Sequence, residues 1–351
     1  MVKRTYLYDF HKRMGAKFTE FSGFEVPLYY TSIVEEHLAV RKSVGLFDVS
    51  HMSKVIVEGE RRKETISRVT TANADILKPG RAKYSAALDY DGHIMDDFVF
   101  MVSEDRYFIV PNAGNGEKIT RWIEKNGYSR VKNCTSDYLI FAVQGPFAQK
   151  TLQKLCDFDL SEIKRFRFKE TEIDGIPLTI SRTGYTGEDG FEIFPKIENY
   201  GKDLILQIYE AGREFGIKLC GVGARDSLRL EKGMALSGHE LANRNPLEAN
   251  LEWIINWDHD FIGKDKLDKA KVKEFCVPII LEEKGIPRHG CLIKKDGKEI
   301  GKVTSGGISP VLNRGISLGY VEREYAKEGE EVTVDVRGRG LKGRVTKVPF
   351  V

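Results

Sequence analysis

Apolar residues fall along the chain in short blocks whose spacing switches between that of helices and that of strands. Ser32 and Glu35 form a capping-box pattern ahead of Val34, Leu38 and Ala39 at helical spacing, and Gly45 stops the run, so a helix is predicted there. Gly45 to Met52 reads as a strand entering a turn, V-I-V within Lys54 to Gly59 as a second strand, and Glu60 to Thr71 as a helix. Tyr84 to Leu88 leads into an Asp91-Gly92 turn, Arg106 to Val110 is a strand, and Glu117 to Lys125 a helix with Ile119, Trp122 and Ile123 on one face. Strands follow at Tyr138 to Val143, Leu178 to Ser181 and Phe191 to Phe194. Helices are expected after Gly145-Pro146, from Lys202 to Phe215 and from Ala224 to Lys232. At the front, Thr5 to Phe18 reads as a short helix, and Phe21 to Tyr30, broken by Gly23 and Pro27, as a loop with buried rings. From Val277 the texture changes to short strands divided by Gly-rich turns, an all-β end domain. The fold class predicted is α+β.

Candidate chemistry begins at G-H-I-M-D-D-F, Gly92 to Phe98, where Asp96 and Asp97 stand side by side as a strand begins. Neighbouring strand residues face opposite ways, so the aspartate that turns inward with Val99 to Val102 leaves water and needs a partner or a task. Asp97 is the candidate. The alternative is a plain hairpin turn with two ordinary carboxylates.

Composition narrows the classes. Of 351 residues, 41% are hydrophobic and 30% charged, and no run approaches the length of a membrane span, which describes a soluble globular protein of two to three domains. The start lacks the long apolar core of a signal peptide, so a cytoplasmic location is expected. A net charge of +3 does not announce a nucleic-acid partner, although it leaves room for local basic patches. Cys134, Cys156, Cys220, Cys276 and Cys291 are odd in number and spread out, and the seven histidines show no H-x-x-x-H spacing, so neither a disulfide framework nor a metal site is expected. Gly338 to Gly343 fits G-x-G-x-x-G literally, but no helix and second strand follow it; a β-turn is expected and no bound nucleotide cofactor. Tyr84, Asp97, Asn112, Tyr185, Glu192 and Arg225 lie in or beside turns and strand ends. Together they suit a flat, polar heteroaromatic ligand such as a pterin, which rings can stack on and whose amidine-like edge a carboxylate can grip. Taken singly each has a structural reading: Tyr185 fills a turn, Glu192 is an exposed strand residue, and Arg225 pairs with Asp226 or Glu188.

Longer strings carry a resemblance. P-L-Y-Y-T-S-I-V-E-E-H-L-A-V-R-K-S-V-G-L-F-D-V-S-H-M, G-H-I-M-D-D-F, Q-G-P-F-A-Q, S-R-T-G-Y-T-G-E-D-G-F-E and G-V-G-A-R-D-S-L-R-L-E-K-G-M are similar to the aminomethyltransferase family, the tetrahydrofolate-binding T-protein of the glycine cleavage system. The likeness runs on through N-P-L-E-A-N-L, F-I-G-K and T-S-G-G-I-S-P to K-V-P-F-V, over nearly the whole chain. It implies a three-domain folate-binding cloverleaf around a central channel. Residues 1–53 and 138–243 form a discontinuous α+β domain, 54–137 an α+β domain with the catalytic aspartate, and 244–351 a mainly β, barrel-like domain. It makes Asp97 the catalytic carboxylate, gives Tyr185, Glu192 and Arg225 the folate, and places Met52, Tyr84 and Asn112 along the same pocket.

The reaction implied passes the carbon of an aminomethyl group on lipoylated H-protein to tetrahydrofolate as co-substrate, giving 5,10-methylenetetrahydrofolate, ammonia and dihydrolipoyl protein. No metal, nucleic acid or membrane is implied. Two departures are visible: His93 replaces the second glycine of the usual G-G-I-x-D-D, and the chain stops just beyond Pro349-Phe350, which bears on recognition of the folate tail. Folate-dependent demethylases and a non-catalytic iron-sulfur assembly factor are the alternatives. The latter carries K-G-C-Y-x-G-Q-E, whereas Met234 follows Lys232-Gly233 here. Arg337, Arg339, Lys342, Arg344 and Lys347 are candidates for a docking surface.

Overall fold

The computed structural model describes residues 2–351, apart from the side chains of residues 199–202. Packing divides the chain into two units, Met1–Ser85 with Asp97–Arg225, and Ala86–Asp96 with Asp226–Val351. The first holds a six-stranded sheet in the order Phe168–Ile173, Ile176–Ser181, Gly190–Pro195, Phe141–Gln144, Gly45–Asp48, Lys218–Leu219. Its central strand Phe141–Gln144 is buried throughout and pairs antiparallel with both neighbours, as a strand covered on both faces must be apolar on both. Leu46, Phe141, Val143, Leu152, Phe191, Leu204 and Ile208 pack in its core.

A five-stranded sheet runs Arg81–Leu88, Ile94–Val102, Arg106–Val110, Val55–Glu58, Arg130–Asn133. The division between units falls inside its first two strands, whose connecting turn at Gly92 (φ 82°) belongs to the second unit. That unit also contains a closed six-stranded barrel, from Glu274–Leu281 to Arg339–Val345. Gly338 sits in the tight turn between its last two strands with Arg337, both at positive φ, as expected of a β-turn. No helix among the described residues is long and apolar enough to cross a membrane.

The expected helix Ile33–Lys42 forms, with Ser32 Oγ accepting from Glu35 N at 3.2 Å. The front of the chain differs from expectation. The helix covers only Tyr8–Arg13, and Phe21 to Tyr30 is not a loop, because Lys17–Phe21 and Phe24–Tyr29 pair antiparallel around a two-residue Ser22-Gly23 turn. Both turn residues have positive φ, 49° and 80°, which matches the twist of a hairpin. Pro27 stands within two residues of a register irregularity, where a missing ladder donor is tolerated. Three boundaries also move: the strand expected at Tyr84 begins at Arg81, the strand expected at Tyr138 begins at Phe141, and the helix expected at Lys202 begins at Ile197.

A buried polar chain ties this front segment to the sheet. Asp48 Oδ2 accepts from His11 Nε2 at 2.7 Å, Tyr30 Oη lies 2.8 Å from His11 Nδ1, and Asp48 Oδ1 accepts from Ser50 N at 2.9 Å and from the Ser50 hydroxyl. The His11 and Asp48 side chains are 0% and 2% exposed. Burial alone would raise the Asp48 pKa, but the bond and charge of His11 and the Ser50 donors outweigh it and hold it below the usual value. Asp48→Asn is therefore expected to lower the unfolding free energy by about 3 kcal/mol at neutral pH. A depressed carboxylate stabilises above its unfolded pKa and loses that contribution as pH falls through the folded value. The gap between wild type and variant, read from urea unfolding, should thus close below roughly pH 4.

Candidate active site

Strand alternation separates the two aspartates, and the structure buries both. Asp96 is fully buried, its Oδ1 accepting from Ser237 Oγ at 3.0 Å within the second unit. Asp97, 8% exposed and in the first unit, accepts from Tyr84 Oη through Oδ2 at 2.8 Å and from Asn112 Nδ2 through Oδ1 at 2.9 Å. The same amide nitrogen also reaches the Asp97 carbonyl at 2.8 Å. Each carboxylate oxygen is thus met by a donor from a neighbouring strand or loop. The outcome is an orientationally fixed anion of low exposure, suited to stabilising positive charge.

The loop carrying Asn112 is itself fastened. Buried Ser53 donates its N–H to Pro111 O at 3.0 Å and its hydroxyl to Asn112 O at 3.0 Å, and accepts from Gly116 N at 2.9 Å. Met52 is half-buried between Ser53 and His51. Its neighbour Ser53 thus fastens the Asn112 loop, and its other neighbour His51 feels the charge of Arg225, which belongs to a second group with Tyr185 and Glu192.

In that second group the Arg225 guanidinium carbon stands 4.8 Å from the Tyr185 ring centroid. Arg225 pairs with neither of its expected partners, since Glu188 is taken by Arg41 at 2.9 Å and Asp226 by Arg229 at 2.8 Å. Its Nη1 is buried without a hydrogen-bond partner. Burial lowers its pKa, and the charges of Glu192 and then Tyr185 oppose that. Glu192 Oε2 accepts from Thr183 Oγ1 at 2.6 Å. A buried guanidinium N–H with nothing to donate to within the chain is uncommon in folded proteins.

Three contributors escaped the sequence reading. His51, 2% exposed, meets the Phe21 ring edge-on at 5.8 Å between centroids. Burial first, then the Arg225 charge, hold it neutral with a pKa lowered to about 3. Lys54 is fully buried, donates to Ser50 O at 2.7 Å, and is lowered by burial to about 8. Gln144 is the clasp of the Tyr185 loop: its Nε2 donates to Thr183 O at 3.1 Å and Phe191 O at 3.4 Å, and its Oε1 accepts from Thr186 Oγ1 at 2.9 Å. A Cβ on Gly184 would stand 2.0 Å from Gln144 Oε1, so the loop closes over the amide only because that residue has no side chain. The signal for Gln144 was present in Q-G-P, but a buried amide cannot be told from a surface one by letters alone.

Among the described residues no group of three or more His, Cys, Asp or Glu side chains is placed to hold a metal ion. All five cysteines are free and four are buried, with burial pushing the Cys134 and Cys156 thiols up to about 11 and those of Cys220 and Cys276 higher still. A cleft of about 350 Å³ on the second unit, lined by Arg244, Glu274, Lys302 and Tyr320 among others, has no candidate site residue in its lining, and its Arg244 is already paired with Glu274 at 2.7 Å.

This combination of mixed sheets and terminal barrel has close counterparts. Residues 7–259 match the family described as GCVT N-terminal domain, and residues 276–351 the Glycine cleavage T-protein C-terminal barrel domain. The chain is 42% identical over 358 aligned residues to Aminomethyltransferase of Halothermothrix orenii, with all of both chains covered. It is 41% identical to Aminomethyltransferase of Aquifex aeolicus, with 99% of this chain and 95% of that protein covered. The crystal structure of glycine cleavage system aminomethyltransferase T from Bartonella henselae superposes with a TM-score of 0.93 at 32% identity, over 100% of this chain and 98% of that one. The chain belongs to the glycine cleavage T-protein family.

The clasp makes a specific prediction. Gly184→Ala should destabilise by about 2 kcal/mol or more through overpacking. Combining it with Gln144→Ala should cost less than the sum of the two single changes, a coupling that a double-mutant cycle of urea melts measures. Strict additivity would mean that the amide does not hold the loop.

Proposed function

We propose that the chain is the aminomethyltransferase of the glycine cleavage system. It takes the aminomethyl group from the lipoyl thioether of H-protein, transfers its carbon to tetrahydrofolate as 5,10-methylenetetrahydrofolate, and releases ammonia and dihydrolipoyl H-protein. The observation that carries the mechanism is Asp97, low in exposure and held through both oxygens by Tyr84 and Asn112. Once the aminomethyl carbon has bonded to a folate nitrogen and the lipoyl thiolate has left, expelling ammonia leaves it electron-poor, as an iminium of the folate nitrogen, until the second folate nitrogen closes on it. A fixed anion in a poorly solvated site stabilises such charge without reorganising, an effect commonly worth ~3 kcal/mol of barrier.

Tyr185, Glu192 and Arg225 hold the folate. The ring supplies a stacking face, the carboxylate grips the amidine-like edge, and the unpartnered Arg225 Nη1 donates to an oxygen of the pterin. Met52, Tyr84 and Asn112 line the same pocket. His51, being neutral, adds a polar atom there without adding charge. Tetrahydrofolate is a co-substrate, and no metal takes part. The reaction is cytoplasmic. The domains run 1–53 with 138–243, 54–137 and 244–351, a division supported by each of the three large sheets lying wholly within one of them.

Asp97→Asn should keep the fold and most of the folate affinity while turnover falls about a hundredfold or more, because shape is retained and charge is lost. Asp96→Asn should matter less for turnover. Single-turnover transfer from aminomethylated H-protein checks this, and equal losses in the two variants would reverse the assignment. Rapid folate-dependent demethylation of a small methyl ether or methylamine, with no turnover of aminomethylated H-protein, would move the reading to a demethylase.

Gln144→Glu should raise the KM for tetrahydrofolate about tenfold while leaving kcat within a few-fold, because the clasp serves the Tyr185 loop rather than Asp97. The KM should recover as pH falls and the new carboxyl regains a proton to donate. A KM that stays flat with pH would detach Gln144 from folate binding.

A further inference from the structure

The front hairpin, Lys17–Phe21 with Phe24–Tyr29, adjoins both groups of candidate residues, and all of them lie in the first unit. Its base is fixed at the root of the helix that carries Arg225. A Cβ on Gly221 would stand 2.3 Å from Leu28 O, and fully buried Glu36 accepts from Tyr30 N at 2.6 Å, Thr31 N at 3.0 Å and Gly221 N at 2.9 Å. From Leu28 the strand runs roughly 15 Å to the turn. There Ser22 O lies 3.6 Å from where a Cβ on Gly114 would stand, in the loop that carries Asn112.

Register decides what lies between these two ends. Phe21 and Phe24 are direct partners across the turn, so both rings leave the same face of the hairpin as buried Val26, while Glu20 and Glu25 leave the other. Both rings meet one imidazole. His51 stands 5.8 Å from Phe21 and 6.5 Å from Phe24 between ring centroids. Beneath them His51 Nδ1 is buried with no hydrogen-bond partner. A ring nitrogen within reach of water would be hydrated, so the two phenyl rings close this side of the site to solvent. The exposed Ser22-Gly23 turn faces water, and the half-buried rings face inward.

We infer that this hairpin roofs the site and that Phe21 and Phe24 decide the fate of the one-carbon unit by keeping water from the folate iminium. The inference rests on the aminomethyltransferase reading. The iminium carbon has two fates, neither of them a redox step. Attack by the second folate nitrogen, which loses its proton, closes the ring of 5,10-methylenetetrahydrofolate. Attack by water gives a carbinolamine whose C–N bond then breaks. The water oxygen leaves in formaldehyde, one water proton goes to the folate nitrogen, and the other goes to solvent. An apolar wall favours the first path, because it lowers the local supply of water while the folate nitrogen is already held beside the carbon.

The test uses the full chain, H-protein carrying a labelled aminomethyl group, and saturating tetrahydrofolate. Methylenetetrahydrofolate dehydrogenase draws off the folate product as it forms, and labelled formaldehyde is counted separately as its dimedone adduct. Phe21→Ala combined with Phe24→Ala should raise the share of label recovered as formaldehyde about tenfold over wild type. Phe21→Leu combined with Phe24→Leu keeps the wall apolar and should divide the label as wild type does. Phe21→Tyr keeps the packing of the ring and brings a hydroxyl to the wall, so it should raise the formaldehyde share several-fold. It serves in place of the alanine pair if urea unfolding shows that pair to be unfolded. Folded variants that lose rate but keep the wild-type division of label would overturn the inference, leaving the rings a structural task and the function standing. A leucine pair that leaks as much as the alanine pair would overturn it too. If wild type gave neither product, the function itself would fall and the roof's role with it.

Discussion

A carboxylate taken out of water is stable only where its lone pairs are met, and the architecture of the first unit meets those of Asp97 from both sides. Tyr84 approaches from the strand next to Ile94–Val102 and Asn112 from the loop after the strand beyond, so the five-stranded sheet sets the spacing of donor, acceptor and donor. The Asn112 loop is held in turn by three hydrogen bonds to Ser53. Displacing any of these elements leaves a low-exposure anion without a partner, which is costly, so the site's geometry and the sheet's register are enforced by the same free energy.

The side proposed to hold the ligand is built differently. There the backbone closes on a buried amide, with Gly184 and Gly190 both too near Gln144 to carry a side chain, and Thr183 extends the chain of bonds to Glu192. Glycine serves close approach here, and positive φ is not the issue at either position. Within the string from Thr183 to Glu192, Thr183, Gly184, Thr186, Gly190 and Glu192 are therefore each tied to this closure.

Much of this was legible in the letters, and the remainder has identifiable physical causes. The Ser32 cap, the barrel and the turn at Gly92 followed from local pattern or from resemblance. The Ser22-Gly23 hairpin was missed because glycine and proline were read as breakers, although a two-residue turn requires positive φ and Pro27 sits near a register irregularity. Alternation anticipated one inward aspartate, but a strand whose two faces are both covered buries both. Tyr84, Asp97 and Asn112 lie 13 and 15 residues apart in pairs, and only sheet register makes them partners. His51, Lys54 and Gln144 were overlooked for a common reason, since burial of a polar side chain is a property of packing rather than of sequence.

The burial of the thiols has a bearing on the company the protein keeps. On the proposed reaction the carrier leaves as a dithiol, and in oxidised form that group is a cyclic disulfide, the usual target of an exposed thiolate. Exchange requires a deprotonated, accessible sulfur. Cys134, Cys156, Cys220 and Cys276 are neither, being enclosed and held in the protonated form by burial. On that reading, those four sulfurs stay clear of mixed-disulfide chemistry while the redox-active arm passes repeatedly.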